Sequence, residues 1–192
     1  TAKELYKRYK SAFDLVFKYA EPSQSTIVPH NLVVLIEKES NIRPFSTSKT
    51  YIRFQPEFLY QNIEKLKEKE FITEDDDLIN NWLFLFEFHI TRNYIKFDLK
   101  IGEYINPDCR QKVYKLFSSN NQVFDKVIKA NGQLRPTWHL AFQKKIITSS
   151  EYNKFLESED DNLNGKIEKK FRELMDSDLP KIQRIIETEL NK

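Results

Sequence analysis

Residues 82–90 read Trp82-Leu83-Phe84-Leu85-Phe86-Glu87-Phe88-His89-Ile90, and residues 94–101 read Tyr94-Ile95-Lys96-Phe97-Asp98-Leu99-Lys100-Ile101. Both stretches alternate with period two, which on a strand sends successive side chains to opposite faces. A tight turn at Arg92-Asn93 pairs Ile90 with Ile95, Phe88 with Phe97 and Phe86 with Leu99. In that register one face holds Phe84, Phe86, Phe88, Ile90, Ile95, Phe97, Leu99 and Ile101, and must be core. The other holds Glu87, His89, Lys96, Asp98 and Lys100. A hairpin with one apolar face needs a second layer to cover it.

The flanking sequence supplies that layer. Residues 3–20 have helical spacing, and Pro29 to Asn41 predicts a helix with Pro29 in its first turn. Residues 43–48 read as a loop, Thr50 to Phe54 as a short strand, and Pro56 to about Glu70 as a helix. Thr73 to Asp77 is a solvated acidic connection that lacks the turn glycine of a calcium loop. Pro107 opens a helix to about Phe117, and residues 122–129 fit helix or strand equally. Asn131-Gly132 predicts a turn before a strand over 138–142, and Ser149-Ser150-Glu151 begins a short helix. Residues 164–176 form an amphipathic helix, after which Asp178-Leu179-Pro180 caps and restarts a last one. The expectation is an α+β fold with a small, mainly antiparallel sheet, its central hairpin at 82–101, packed with helices. It is read as one domain over 1–192, with a helical N-terminal part (1–45), a sheet-containing middle (50–147) and a helical C-terminal part (148–192).

Composition narrows the function classes. With 40% hydrophobic and 31% charged residues over 192 positions, the chain has the balance of a soluble globular domain. Only 3 glycines occur, and no Gly-rich phosphate loop is among them. A single cysteine, Cys109, excludes an internal disulfide and a Cys-rich zinc site, and it reads as an inert thiol. No apolar run reaches membrane-spanning length, so no membrane partner is expected and the default location is cytoplasmic. Abundant Lys, Ile, Asn, Phe and Tyr point to an AT-rich bacterial genome. The net charge of +2 is uneven: residues 101–147 hold 8 basic and 3 acidic groups, which makes them the stretch suited to a polyanion.

Two constellations have chemical content. In the hairpin register Glu87 lies opposite Asp98, and like charges at opposed positions destabilise a sheet. One reading is a solvated face on which lysines compensate the carboxylates. The other is a metal site, in which Glu87 and Asp98 hold Mg²⁺ and Lys100 offsets developing charge, as in restriction-type nucleases. The histidines His30, His89 and His139 share no ligand spacing and read as turn or surface residues. The second constellation is the basic stretch, with Lys126, Lys129 and Arg135 among its cations and Tyr114, Trp138 and Phe142 among its aromatics. There Arg110, Lys112, Lys115, Lys144 and Lys145 are the expected nucleic-acid contacts. Alternatively those aromatics are core and the lysines only cover helix surfaces.

Tyr51-Ile52-Arg53-Phe54, Trp82 to Phe88, Leu99-Lys100-Ile101-Gly102 and Arg110 together resemble the region that follows the catalytic part in a group of bacterial PD-(D/E)XK nuclease superfamily proteins. Trp138, Lys144-Lys145-Ile146-Ile147, Phe171 and Asp178-Leu179-Pro180-Lys181-Ile182 fit the same region, so the resemblance covers roughly 50–186. The family's nuclease motif lies upstream of such a region, and nothing before residue 50 supplies a copy. The resemblance therefore implies a non-catalytic accessory domain, for recognition or regulation, linked to DNA restriction or phage defence. Its implied partners are DNA and either an upstream nuclease domain or a partner subunit, with no cofactor of its own. The alternatives are a small Mg²⁺-dependent nuclease using Glu87, Asp98 and Lys100, and a protein-interaction module.

Overall fold

A computed structural model describes residues 24–73, 83–91, 93–103, 106–127, 132–157 and 163–192. The expected helix over 3–20, the acidic run 74–77, Trp82, Arg92, Lys129 and Asn131 lie outside the described residues. The fold is α+β, as the alternation of the hairpin requires. Five strands, β1 (Ile42–Thr47), β2 (Tyr51–Pro56), β3 (Phe84–Ile90), β4 (Ile95–Ile101) and β5 (His139–Ile147), form one antiparallel sheet in chain order. The β3–β4 register is the one expected: Ile90 faces Ile95, Phe88 faces Phe97, Phe86 faces Leu99 and Glu87 faces Asp98. At the turn, the Thr91 hydroxyl accepts from the backbone N–H groups of Asn93 and Tyr94, and Thr91 N–H donates to the Tyr94 carbonyl.

The apolar face is sealed. Phe54, Phe86, Phe88 and Phe97 are fully buried, with Phe97 about 6 Å from each of the other three ring centroids. Helices α1 (Gln24–Glu37), α4 (Pro107–Ser119) and α6 (Leu163–Glu173) supply Leu32, Phe117 and Phe171 to this core. Two short helices, α2 (Glu57–Gln61) and α3 (Ile63–Glu68), bury Phe58, Leu59 and Leu66. Helix α5 (Ser149–Glu157) starts at Thr148, whose hydroxyl and backbone N–H exchange hydrogen bonds with Glu151 as a capping box.

Four local expectations are corrected. Residues 43–48 are not a loop, because Ile42–Thr47 is an edge strand. Pro44 is tolerated there, where a missing N–H breaks no ladder, and the pairing slips between Pro44 and Ser46. The helix expected from Pro29 begins at Gln24, so Pro29 lies inside it. The helix expected over 56–70 is broken at Asn62 into α2 and α3. Finally, Asp178-Leu179-Pro180 does not restart a helix. Helix α6 continues through a π-helical turn (Leu174–Asp178) into α7 (Leu179–Leu190), and Asp178 makes no capping bond. A π-turn widens the helix where Pro180 lacks an N–H and its ring would strike the preceding turn.

Just beyond the end of α3 lies Glu70, whose φ of 53° is left-handed. The Phe71 N–H reaches back to the Leu66 carbonyl and the Glu70 N–H to that of Lys67, the paired bonds of a glycine-type helix stop. A side chain in this conformation costs roughly 1 kcal/mol. Glu70→Gly should therefore raise the melting temperature, by up to about 1 kcal/mol of stability, although it removes the exposed contact of Glu70 with Lys112. A lower melting temperature would contradict this account of the stop.

Candidate functional site

The second face of the sheet is not the solvated surface expected. Glu87 and Asp98 are each only 1% exposed. They belong to one row that crosses four strands, in which Arg53 faces Glu87, Glu87 faces Asp98 and Asp98 faces Gln143. Every carboxylate oxygen in the row has a partner. Arg53 Nε donates to Glu87 Oε2 at 3.1 Å, and Lys100 Nζ donates to Glu87 Oε1. Gln143 Nε2 donates to Asp98 Oδ1 at 2.8 Å, while Lys96 and Lys100 each stand 3.6 Å from Asp98 Oδ2. Three cations thus surround two carboxylates. The strands and lysines of the hairpin make part of this legible in sequence. The covering partners Arg53 and Gln143 come from β2 and β5, and only the sheet order brings them in.

A divalent ion fits this donor set poorly. It would have to displace Arg53 or Lys100 from Glu87 and sit among three positive charges, where its own charge is repelled. Among the described residues no group of three His, Cys, Asp or Glu side chains could hold a metal.

The five expected nucleic-acid contacts are dispersed. Arg110 is 7% exposed and spends its guanidinium on backbone carbonyls. Its Nε donates to Gly102 at 2.7 Å, Nη1 to Pro136 at 2.7 Å, and Nη2 to Arg135 at 2.8 Å and also to Thr137. It fastens the loop after β4 to the loop before β5. Lys112 donates to the Lys69 carbonyl at 2.7 Å and to Glu70 at 3.0 Å. Lys115 is exposed on α4. Lys144 lies on the helix-covered face, 2.6 Å from Asp178 and 3.6 Å from Glu173. Lys145 is exposed and projects to the other face, as neighbours on a strand must. The basic stretch is therefore not one patch.

The histidines and the cysteine also have definite places. His139 is not a surface or turn residue: it is 1% exposed on β5, because the strand begins there and turns its ring inward. Its Nε2 lies 2.9 Å from the Val127 carbonyl, and its Nδ1 accepts from Arg135 N–H at 3.2 Å. That pattern fixes a neutral ring with the proton on Nε2. His89 is half-buried, stacked on Tyr51 at 4.7 Å. Cys109 is buried, its Sγ 3.4 Å from the Glu70 carbonyl. No helix of the described residues is long and apolar enough to cross a membrane.

No protein-family model, curated protein or solved structure matches the chain.

Two outcomes follow from these contacts. Glu87→Ala leaves Arg53 and Lys100 facing each other across a largely dry sheet. It should cost about 3 kcal/mol, the low end for a broken buried pair because both cations keep some water. Asp98→Asn should cost less, since Gln143 keeps a partner and the Glu87–Asp98 repulsion is relieved; denaturant unfolding measures both, and the reverse order would contradict the charge balance described. For His139, burial above all holds the ring below its ordinary value of 6.5, with Arg135 and Arg110 adding repulsion against the opposing Val127 bond. The unfolded chain then takes up the proton first. The stability from neutral His139 is whole above pH 6.5 and is lost as pH falls below it. Melting temperature should drop on acidification from about pH 7 to about pH 5.5, and His139→Gln should shrink that drop while lowering the value at neutral pH.

Proposed function

We propose that this chain is a non-catalytic accessory domain, for recognition or regulation, of a bacterial PD-(D/E)XK nuclease-family protein acting in DNA restriction or phage defence. The observation that supports this most is that the residues carrying the family likeness touch one another. Arg53, Glu87 and Lys100 form one ion-pair cluster. Gly102 accepts from Arg110, which also binds the carbonyl beside Trp138. Lys144 meets Asp178, although the two are far apart in sequence. A short motif scattered over 50–186 becomes a set of internal braces, as expected of residues that maintain a fold rather than cut a strand.

The same contacts weigh against the Mg²⁺-dependent nuclease alternative. A hydrolytic site needs carboxylates with open coordination positions facing a phosphate. Here Glu87 and Asp98 are occupied by Arg53, Lys100, Lys96 and Gln143, and Lys100 is committed to both acids. The expected result is that plasmid and single-stranded DNA stay intact with Mg²⁺ or Mn²⁺, and that calorimetry detects no Mn²⁺ binding. Cleavage or Mn²⁺ binding that disappears in Asp98→Ala would overturn the reading.

A further inference from the structure

We propose that the charged face of the sheet carries a single-stranded nucleic-acid site centred on the groove where Tyr94, Lys96 and Lys145 meet. This deepens the recognition role proposed above and rests on it. The groove, about 240 Å³ in volume, lies where β4 begins and β5 ends, and Tyr94, Ile95, Ile147 and Ser149 line it together with the two lysines.

The first observation is an unbalanced pair of like charges. Lys96 and Lys145 are register partners on neighbouring strands. Opposed like charges destabilise a sheet unless an anion lies between them. Lys96 shares the single carboxylate of Asp98 with Lys100. Among the described residues no carboxylate comes within ion-pair distance of the exposed Lys145. The neighbouring row of Arg53, Glu87, Asp98 and Gln143 draws on Lys100 and Lys96 from either side of it, whereas Lys145 keeps its positive charge beside an open groove.

The second observation is the company these lysines keep. The row continues from Lys96 to His89 and Tyr51. The Tyr51 and His89 rings stack at 4.7 Å, Tyr94 meets His89 edge-on at 5.7 Å, and Lys96 Nζ lies 5.6 Å from the Tyr94 ring centre. All three rings are half-buried. Burial and the nearby Lys96 hold the His89 pKa below its ordinary value, so at neutral pH it presents an uncharged ring. Four strands at about 4.8 Å spacing make this a strip about 14 Å long. Cations for phosphates beside partly exposed aromatic rings for unstacked bases are what a single strand requires. A duplex keeps its bases away from such rings, and an acidic peptide would satisfy the lysines but leave the rings unused.

Fluorescence anisotropy of the whole chain with labelled oligothymidine, and with a duplex of the same length, tests the site. The expected result is binding to the single strand in preference to duplex, weakening steeply with salt. Lys145→Glu should weaken it about tenfold. Lys145→Arg should restore binding, Tyr94→Ala should weaken it without changing the salt dependence, and Lys181→Glu on α7 should have no effect. Thermal melting verifies that each variant is folded. Single-strand binding indifferent to Lys145→Glu would overturn the site while leaving the recognition role standing. Equal or better binding to duplex would overturn the occupant, and no binding to either would overturn the site. Metal-dependent cleavage, by contrast, would overturn the accessory reading itself.

Discussion

The pairing of Glu87 with Asp98 is the constraint around which the sheet is arranged. The hydrophobic pattern of the hairpin excludes any one-residue slip, which would expose the phenylalanine face, and the tight turn at Thr91–Tyr94 then sets the two acids opposite each other. Once opposed, they need positive charge on both sides. Arg53 supplies it from β2, and Lys96 and Lys100 from β4, while Gln143 on β5 takes the remaining oxygen. The apolar face and the tight turn thus set the register, and the ionic face ties four strands to it.

The same logic extends beyond the sheet. Arg110 gathers carbonyls from the two loops flanking α4 and β5, and Lys144 fixes β5 to the π-helical turn through Asp178. Buried charge of this kind adds little net stability, since desolvation offsets attraction. What it adds is discrimination, because a misplaced strand or helix would leave a charge without its partner.

Local pattern explains what could be read from sequence. The two faces of the hairpin were legible from the period-two alternation of phenylalanines, and its register followed only from assuming the tight turn between residues 90 and 95. Helix α4 was legible from Pro107, and the start of α5 from Ser149-Ser150-Glu151. Strand β1 was hidden by Pro44, which only an edge position accommodates. The continuity of α6 into α7 was hidden because Pro180 ordinarily stops a helix, and a π-turn is a tertiary accommodation. The burial of Glu87, Asp98, His139 and Arg110 was out of reach, since each depends on partners from distant segments. The split of Lys144 from Lys145 follows from strand geometry alone. It became meaningful only when β5 extended to Ile147 and a helix was seen on one side of it. Of the expected contact residues, Lys145 is the one that lies in the groove, and its companions Tyr94, Lys96, His89 and Tyr51 came from the sheet order.

The strand order also bears on how the molecule assembles. All five strands follow one another along the chain, so β1 with β2 and β3 with β4 are closed by short turns whose entropy is small. The connections over 57–83 and 102–138 are long, and joining the two hairpins and adding β5 are the steps that lose most chain freedom. β5 carries both Gln143, which meets Asp98, and Lys144, which meets Asp178. Placing β5 in the sheet is thereby coupled to seating the C-terminal helical arm, so that loosening either layer weakens the hold on the other.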